Sequence, residues 1–132
     1  MADTHYIPGM CNINPKEISA RRKTMYLGII SGIISLISLI YVNTHPIFGL
    51  SMFVPAWIGA IGYLQAKNRF CVAYAAEGKF NTSDDFGKTT KVSADEDKRK
   101  DKAKARRISL QATAFSIVIA LFSVGLLINL YV

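Results

Sequence analysis

Residues 24–66 carry no Asp, Glu, Lys or Arg, and neither do residues 108–132. The first stretch runs MYLGIISGIISLISLIYV, breaks at NTHP, and resumes as IFGLSMFVPAWIGAIGYLQA. The second contains LQATAFSIVIALFSVGLLINLYV. A helix crossing a bilayer needs about 20 mainly apolar residues. The first stretch is long enough for two spans and a tight turn, the second for one. The pattern predicts an all-α membrane protein with three transmembrane helices, spanning about residues 24–42, 46–66 and 109–131.

The helices extend beyond the apolar blocks. Residues 1–14 lack periodicity and contain Pro8-Gly9, which marks an arm. Asn14-Pro15-Lys16-Glu17 is a helix start, with Asn14 as cap, Pro15 at the first helical position and Glu17 able to close a capping box. The first helix is placed at 15–42. Asn43-Thr44-His45-Pro46 forms the turn, with His45 a turn residue. The second helix is placed at 46–77, kinked at Pro55, projecting about three turns past the span and stopped by Gly78. A loop covers 78–92. Ser93-Ala94-Asp95-Glu96 reads as a second capping box, opening a third helix over 93–132. From Ala94 to Tyr131 that helix is roughly 57 Å long at 1.5 Å per residue, nearly twice the hydrocarbon core.

Charge then sets the orientation. All 16 Lys and Arg fall within 16–23 and 67–107, while the 43–46 turn and the C-terminus have none. By the positive-inside rule the N-terminus and the long loop face the cytoplasm and the C-terminus lies outside. No cleavable signal peptide is evident, because the first apolar run starts late and is long enough to span. The net charge of +7 suggests nucleic acid at first sight. Its confinement to the flanks of apolar blocks points instead to anionic lipid on the cytoplasmic face, met by Arg21, Arg22, Lys23, Lys98, Arg99, Lys100, Arg106 and Arg107. No nucleic-acid partner is expected.

Two cysteines exclude a disulfide-rich scaffold and a four-cysteine zinc site. Cys11 and Cys71 both fall on the cytoplasmic side. With His5 they are candidates for a metal, haem or thiol-redox site. The alternative is that each is a small buried hydrophobe. No P-loop, GxSxG, HExxH or DxDxG motif is present. No ionisable residue lies inside a span, which argues against a transport path within one chain. Gly28 and Gly32 form a GxxxG pair. Gly59 and Gly62 thin the second helix, and Ala112, Ser116 and Ala120 form a small-residue ridge on the third. Such residues let helix backbones approach closely in lipid, within one chain or between chains.

Cys11-Asn12-Ile13, Glu17-Ile18, Arg21-Arg22-Lys23, residues 62–66 (Gly-Tyr-Leu-Gln-Ala), Arg69-Phe70-Cys71 and Lys91-Val92 carry a resemblance. On these motifs the chain resembles a family of small uncharacterised bacterial integral membrane proteins, over about 60% of its length. The resemblance implies a bacterial inner membrane and brings no activity. It implies that Cys11 and Cys71 share one site. The expected function is that of a non-catalytic accessory, assembly or oligomeric subunit, as a homo-oligomer or within a membrane complex. A metal, haem or thiol-redox protein is the alternative, and a small oligomeric channel or transporter the second.

Overall fold

The structure is a computed structural model that describes residues 6–131. It is mostly helical. Pro15–Val42, Pro46–Asn68 and Asp95–Tyr131 are long and apolar enough to cross a membrane. The elements are α1 (Pro15–Val42), a 3-10 segment (Pro46–Met52), α2 (Phe53–Asn68), α3 (Val72–Glu77), a two-residue hairpin pair β1 (Lys79–Phe80) and β2 (Thr90–Lys91), and α4 (Asp95–Tyr131).

α1 begins at its predicted cap, where the Asn14 side chain accepts the Glu17 N–H at 2.8 Å. Glu17 does not return the bond. Its carboxylate turns away from the helix end, so the capping box is half-formed. α1 ends at Asn43, which takes the left-handed conformation (φ 58°) that an asparagine tolerates. His45 is a turn residue: its Nδ1 accepts the Ile47 N–H at 3.2 Å.

The second helix is not continuous over 46–77. It opens as a 3-10 segment with Pro46 in its first turn. Pro55 falls in the first turn of α2, where its missing N–H has no helical partner to lose. The irregularity at that end is therefore a change of helix type rather than a kink inside one long helix. At the other end α2 stops at Asn68. Arg69 adopts the left-handed conformation (φ 54°), and its N–H closes on the Ala66 carbonyl. Cys71 is extended before α3 starts. The break is held by side chains: Gln65 Oε1 accepts the Val72 N–H at 2.9 Å, and Asn12 Oδ1 accepts the Cys71 N–H at 2.6 Å. Helix-compatible residues yield here because two side chains satisfy the backbone groups that the helix would have paired.

α3 ends at Gly78 (φ 70°), as the sequence predicts for that glycine. β1 and β2 then pair antiparallel, Lys79 with Lys91 and Phe80 with Thr90. In α4 the Ala94 carbonyl accepts the Lys98 N–H, so Ala94 occupies the cap position, one residue after the predicted Ser93. Glu96 and Lys100 approach to 3.8 Å, as do Asp95 and Lys98.

α2 is the centre of the bundle, between α1 and α4. Gly28 and Gly62 mark the α1–α2 contact. A Cβ on Gly28 would overlap the Gly59 backbone and come 2.9 Å from the Pro55 carbonyl oxygen, and one on Gly62 would come 2.6 Å from the Met25 nitrogen. Gly49 does the same work against α4, where a Cβ would come 2.7 Å from the Val124 nitrogen. The buried face of α4 includes Ala112, Ser116, Ala120, Ser123 and Leu127. The Ser116 and Ser123 hydroxyls donate to carbonyls one turn back. Gly32 lies at ordinary contact distance, 3.6 Å for a Cβ to Pro55 Cβ. The side-chain core sits where α2, α3 and α4 meet at the charged end: Ile61, Phe70, Ala75, Ala105, Ile108 and Ala112.

Candidate functional site: a buried polar cap on the bundle

The charged end of the bundle is closed by a cap built from the arm, α3, the hairpin and the first turns of α1 and α4. Its polar side chains are buried, which demands partners for each. Asn12, Glu17, Asn81 and Asp101 have no exposed surface, and Asn14 has almost none.

Glu17 is the centre. From the first turn of α1 it points into the cap, where Oε1 accepts three bonds: from Tyr74 Oη (2.9 Å), Asn81 Nδ2 (3.0 Å) and the Gly87 N–H (2.8 Å). Oε2 accepts no hydrogen bond, and faces Arg21 Nη2 at 3.4 Å. The same guanidinium nitrogen donates to Cys71 Sγ at 3.0 Å. One cation thus sits between a carboxylate and a thiol. Burial, and then its bond to Glu17, push the Tyr74 hydroxyl up to about 12. The phenol is a donor here, and losing its proton would turn it against the carboxylate.

The asparagines lock the covering segments to this centre. Asn12 uses its backbone and side chain together. Its N–H reaches the Arg69 carbonyl (3.1 Å), its carbonyl takes the Asn81 N–H (2.8 Å), and its amide pairs with Cys71 on both sides. Asn14 Nδ2 donates to the Ser83 and Asp85 carbonyls. Asn81 Nδ2 reaches the Asp85 carbonyl as well as Glu17. The 81–87 loop is therefore held from beneath by α1 and the arm.

A second buried carboxylate ties the arm to α4. Asp101 accepts Tyr6 Oη and the Gly9 N–H, each at 2.7 Å. Tyr6 also stacks on Phe80, with ring centroids 4.2 Å apart. Gly9 (φ 73°) lies against the α4 backbone at Lys100, in a conformation other residues rarely adopt. Burial, with Asp101 as bond acceptor, raises the Tyr6 hydroxyl above its usual range.

Cys11 and Cys71 are both free and buried. Their thiols go to different partners: Cys11 Sγ donates to the Ile13 carbonyl at 3.8 Å, whereas Cys71 meets Arg21. Burial raises the Cys11 thiol. The Cys-Asn-Ile and Arg-Phe-Cys motifs do meet, but through Asn12 rather than through sulfur. Among the described residues no group of three or more His, Cys, Asp or Glu is placed to hold a metal ion. His5 lies outside the described residues. Of the basic candidates, Arg21 is turned into the cap and Lys98 lies along Gly78. Arg22, Lys23, Arg99, Lys100, Arg106 and Arg107 are exposed.

In the sequence Glu17 reads only as a cap partner, and Asp101 is one acid inside the basic run 98–107. The signal that separates Asp101 from Asp95, Glu96 and Asp97 is position: it lies beyond the first turn, past the reach of the helix dipole. No protein-family model, curated protein or solved structure matches the chain.

Proposed function

We propose that the chain is a non-catalytic, three-span protein of a bacterial inner membrane, with its cap in the cytoplasm and its C-terminus outside, serving as an accessory or assembly subunit. One observation carries this reading. In its apolar part α1 approaches α2 most closely at Gly28, Gly59 and Gly62, and only 6% of its most apolar stretch is buried, against 33% for the second span. Ile30, Ile33, Ile34 and Ile37 are all at least 55% exposed. A helix so nearly bare offers a long apolar face to a neighbouring chain. The cap, its polar groups spent on mutual bonds, offers a fixed platform beside it. Of the motifs on which the chain resembles the small bacterial family, Cys11-Asn12-Ile13, Arg69-Phe70-Cys71 and Lys91-Val92 lie in that platform.

A photo-crosslinking residue at Ile33 or Ile37 should capture another protein chain in native membranes, and the protein extracted in mild detergent should run above monomer mass. A monomer with crosslinks to lipid alone overturns the reading. The orientation is tested separately. Alkaline phosphatase fused after residue 131 should be active, and fused within 82–89 inactive; the reverse pattern overturns it.

A second reading, a thiol site at Cys71, is favoured by the 3.0 Å approach of the Arg21 guanidinium to its sulfur. Cys71→Ser with unchanged behaviour of the assembled protein would remove it.

A further inference from the structure

α1 and α4 both pack on α2 and leave between them a half-open apolar groove of about 450 Å³. Its floor runs along α2 from Pro55 to Leu64, its walls are Met25 and Ile29 of α1 and Gln111 and Phe115 of α4. Nine residue steps of helix make it about 14 Å long. That is half of a hydrocarbon core about 30 Å thick, the depth of one leaflet. A transmembrane helix from a second copy would need a seat of the full thickness, whereas one acyl chain fits half.

The end of the groove nearest the cap carries charge from all three helices. Arg22 lies one turn beyond Met25 on α1, Lys67 one turn beyond Tyr63 on α2, and Arg107 one turn beyond Gln111 on α4; all three are exposed. Lys67 Nζ lies 5.8 Å from the Tyr63 ring centre, above the groove floor. Among the described residues no acid pairs with them: Glu17 of α1 is buried in the cap, as is Asp101 of α4. Gln111, on the groove wall, adds an exposed amide just inside the apolar block.

We propose that this groove holds one acyl chain of an anionic phospholipid, whose phosphate is met by Arg22, Lys67 and Arg107 and whose ester carbonyl accepts from Gln111. The inference rests on insertion of the three helices in a bilayer and is independent of whether another protein covers α1. It differs from a general attraction to acidic lipid in requiring three named cations and a filled slot.

Native mass spectrometry of the full chain in mild detergent, titrated with phosphatidylglycerol and with phosphatidylcholine of the same chains, tests it. The first phosphatidylglycerol should bind at least tenfold more tightly than the first phosphatidylcholine. In the Arg22→Gln, Lys67→Gln, Arg107→Gln triple variant that preference should fall below threefold. A triple change at the exposed Lys88, Lys91 and Lys102 should leave it intact, since those cations do not end the groove. Ala56→Phe, which fills the floor, should lower retention of either lipid about tenfold without altering the number of chains per particle. A wild-type preference under threefold overturns the proposal. So does a preference that survives the first triple variant or disappears equally in the second. If Ala56→Phe instead lowers the chain count, the groove seats a second copy and the proposal fails. Should Ala56→Phe not fold, the two exposed-charge triples decide alone. The chain count reads the subunit reading and the lipid adducts read this one, so the two can fail separately.

Discussion

Gly28 and Gly32 form one GxxxG pair, yet their replacement by alanine should have opposite effects. In each case the helix itself gains, because alanine is favoured over glycine in a helix interior by about 1 kcal/mol. At Gly32 nothing opposes that gain: the new Cβ would lie 3.6 Å from Pro55 Cβ and 3.9 Å from Met52 Cε, ordinary contact. At Gly28 the Cβ would enter the Gly59 backbone and stand 2.9 Å from the Pro55 carbonyl. Both obstacles are main chain, with no rotamer to move. Carbon contacts want about 3.5–4.0 Å, so the two helices must part by about 1 Å along the crossing. Over-packing of this kind costs about 1–3 kcal/mol, and rigid neighbours place it at the upper end. Net of the helix gain, Gly28→Ala should destabilise by about 2 kcal/mol, while Gly32→Ala stabilises by a few tenths to about 1 kcal/mol. Unfolding in mixed micelles with rising SDS fraction is the assay, followed by the fluorescence of Trp57, the one tryptophan. Equal midpoints for the two variants, or a larger loss at Gly32, would refute the close-approach argument.

Three further outcomes follow from the cap. Glu17→Ala strands the donors of Tyr74, Asn81 and Gly87 and leaves Arg21 beside an empty space. A loss of about 3–5 kcal/mol is expected, read as faster proteolysis within 81–89 and faster amide exchange at Gly87, with Glu17→Gln intermediate. Asp101→Ala releases Tyr6 and Gly9 together, so protease should trim the arm before it touches the helices; an arm as resistant as wild type would show that Asp101 does not hold it. The Tyr74 hydroxyl has a folded value of about 12 against 10 when free. In that interval the unfolded chain binds fewer protons than the folded one, so stability falls as pH rises. The contribution of Tyr74 is complete below pH 10 and disappears as pH climbs through about 12. A Tyr74→Phe variant should show a flatter alkaline limb, and an unchanged limb would contradict the assignment.

The three apolar helices were legible because a bilayer demands uninterrupted runs, and the runs are uninterrupted. The Asn14 cap and the Gly78 stop were legible because each depends on one residue and its immediate neighbours. The break at Arg69 was not. Residues 67–77 contain no proline or glycine, and local propensity favours continuing the helix. What stops it is Asn12, more than fifty residues away in sequence, competing for the Cys71 backbone. The buried role of Glu17 was hidden for a similar reason. A glutamate three residues after an asparagine cap is the expected capping-box pattern, and only the arrival of Tyr74, Asn81 and Gly87 turns its side chain the other way. Gly49 was passed over because it lies in a turn-proximal segment, where a glycine is easily read as turn chemistry. Small-residue spacing identified candidates for close approach without ranking them, since contact depends on where the facing backbone lies.

Glu17, Arg21, Met25 and Gly28 follow one another along α1 at steps of four, four and three, which puts them on one face. Each meets a different layer of the molecule. Glu17 holds the loop and α3, and the Arg21 side chain reaches Cys71 at the break. The Arg21 carbonyl and the Met25 backbone abut Gly62, and Gly28 abuts Gly59. The polar cap and the apolar crossing are thus two ends of a single contact surface, with no hinge residue between them in α1. A displacement of α1 from α2 at Gly28 must tilt or shift Glu17 relative to its three donors, whose geometry tolerates only tenths of an ångström. Coupling of this kind makes the cap a reporter of how α1 is seated. A partner chain that pulls on the bare isoleucine face would register at the 81–87 loop, and the Gly28→Ala variant should raise amide exchange at Gly87 although the two sites lie at opposite ends of that contact surface.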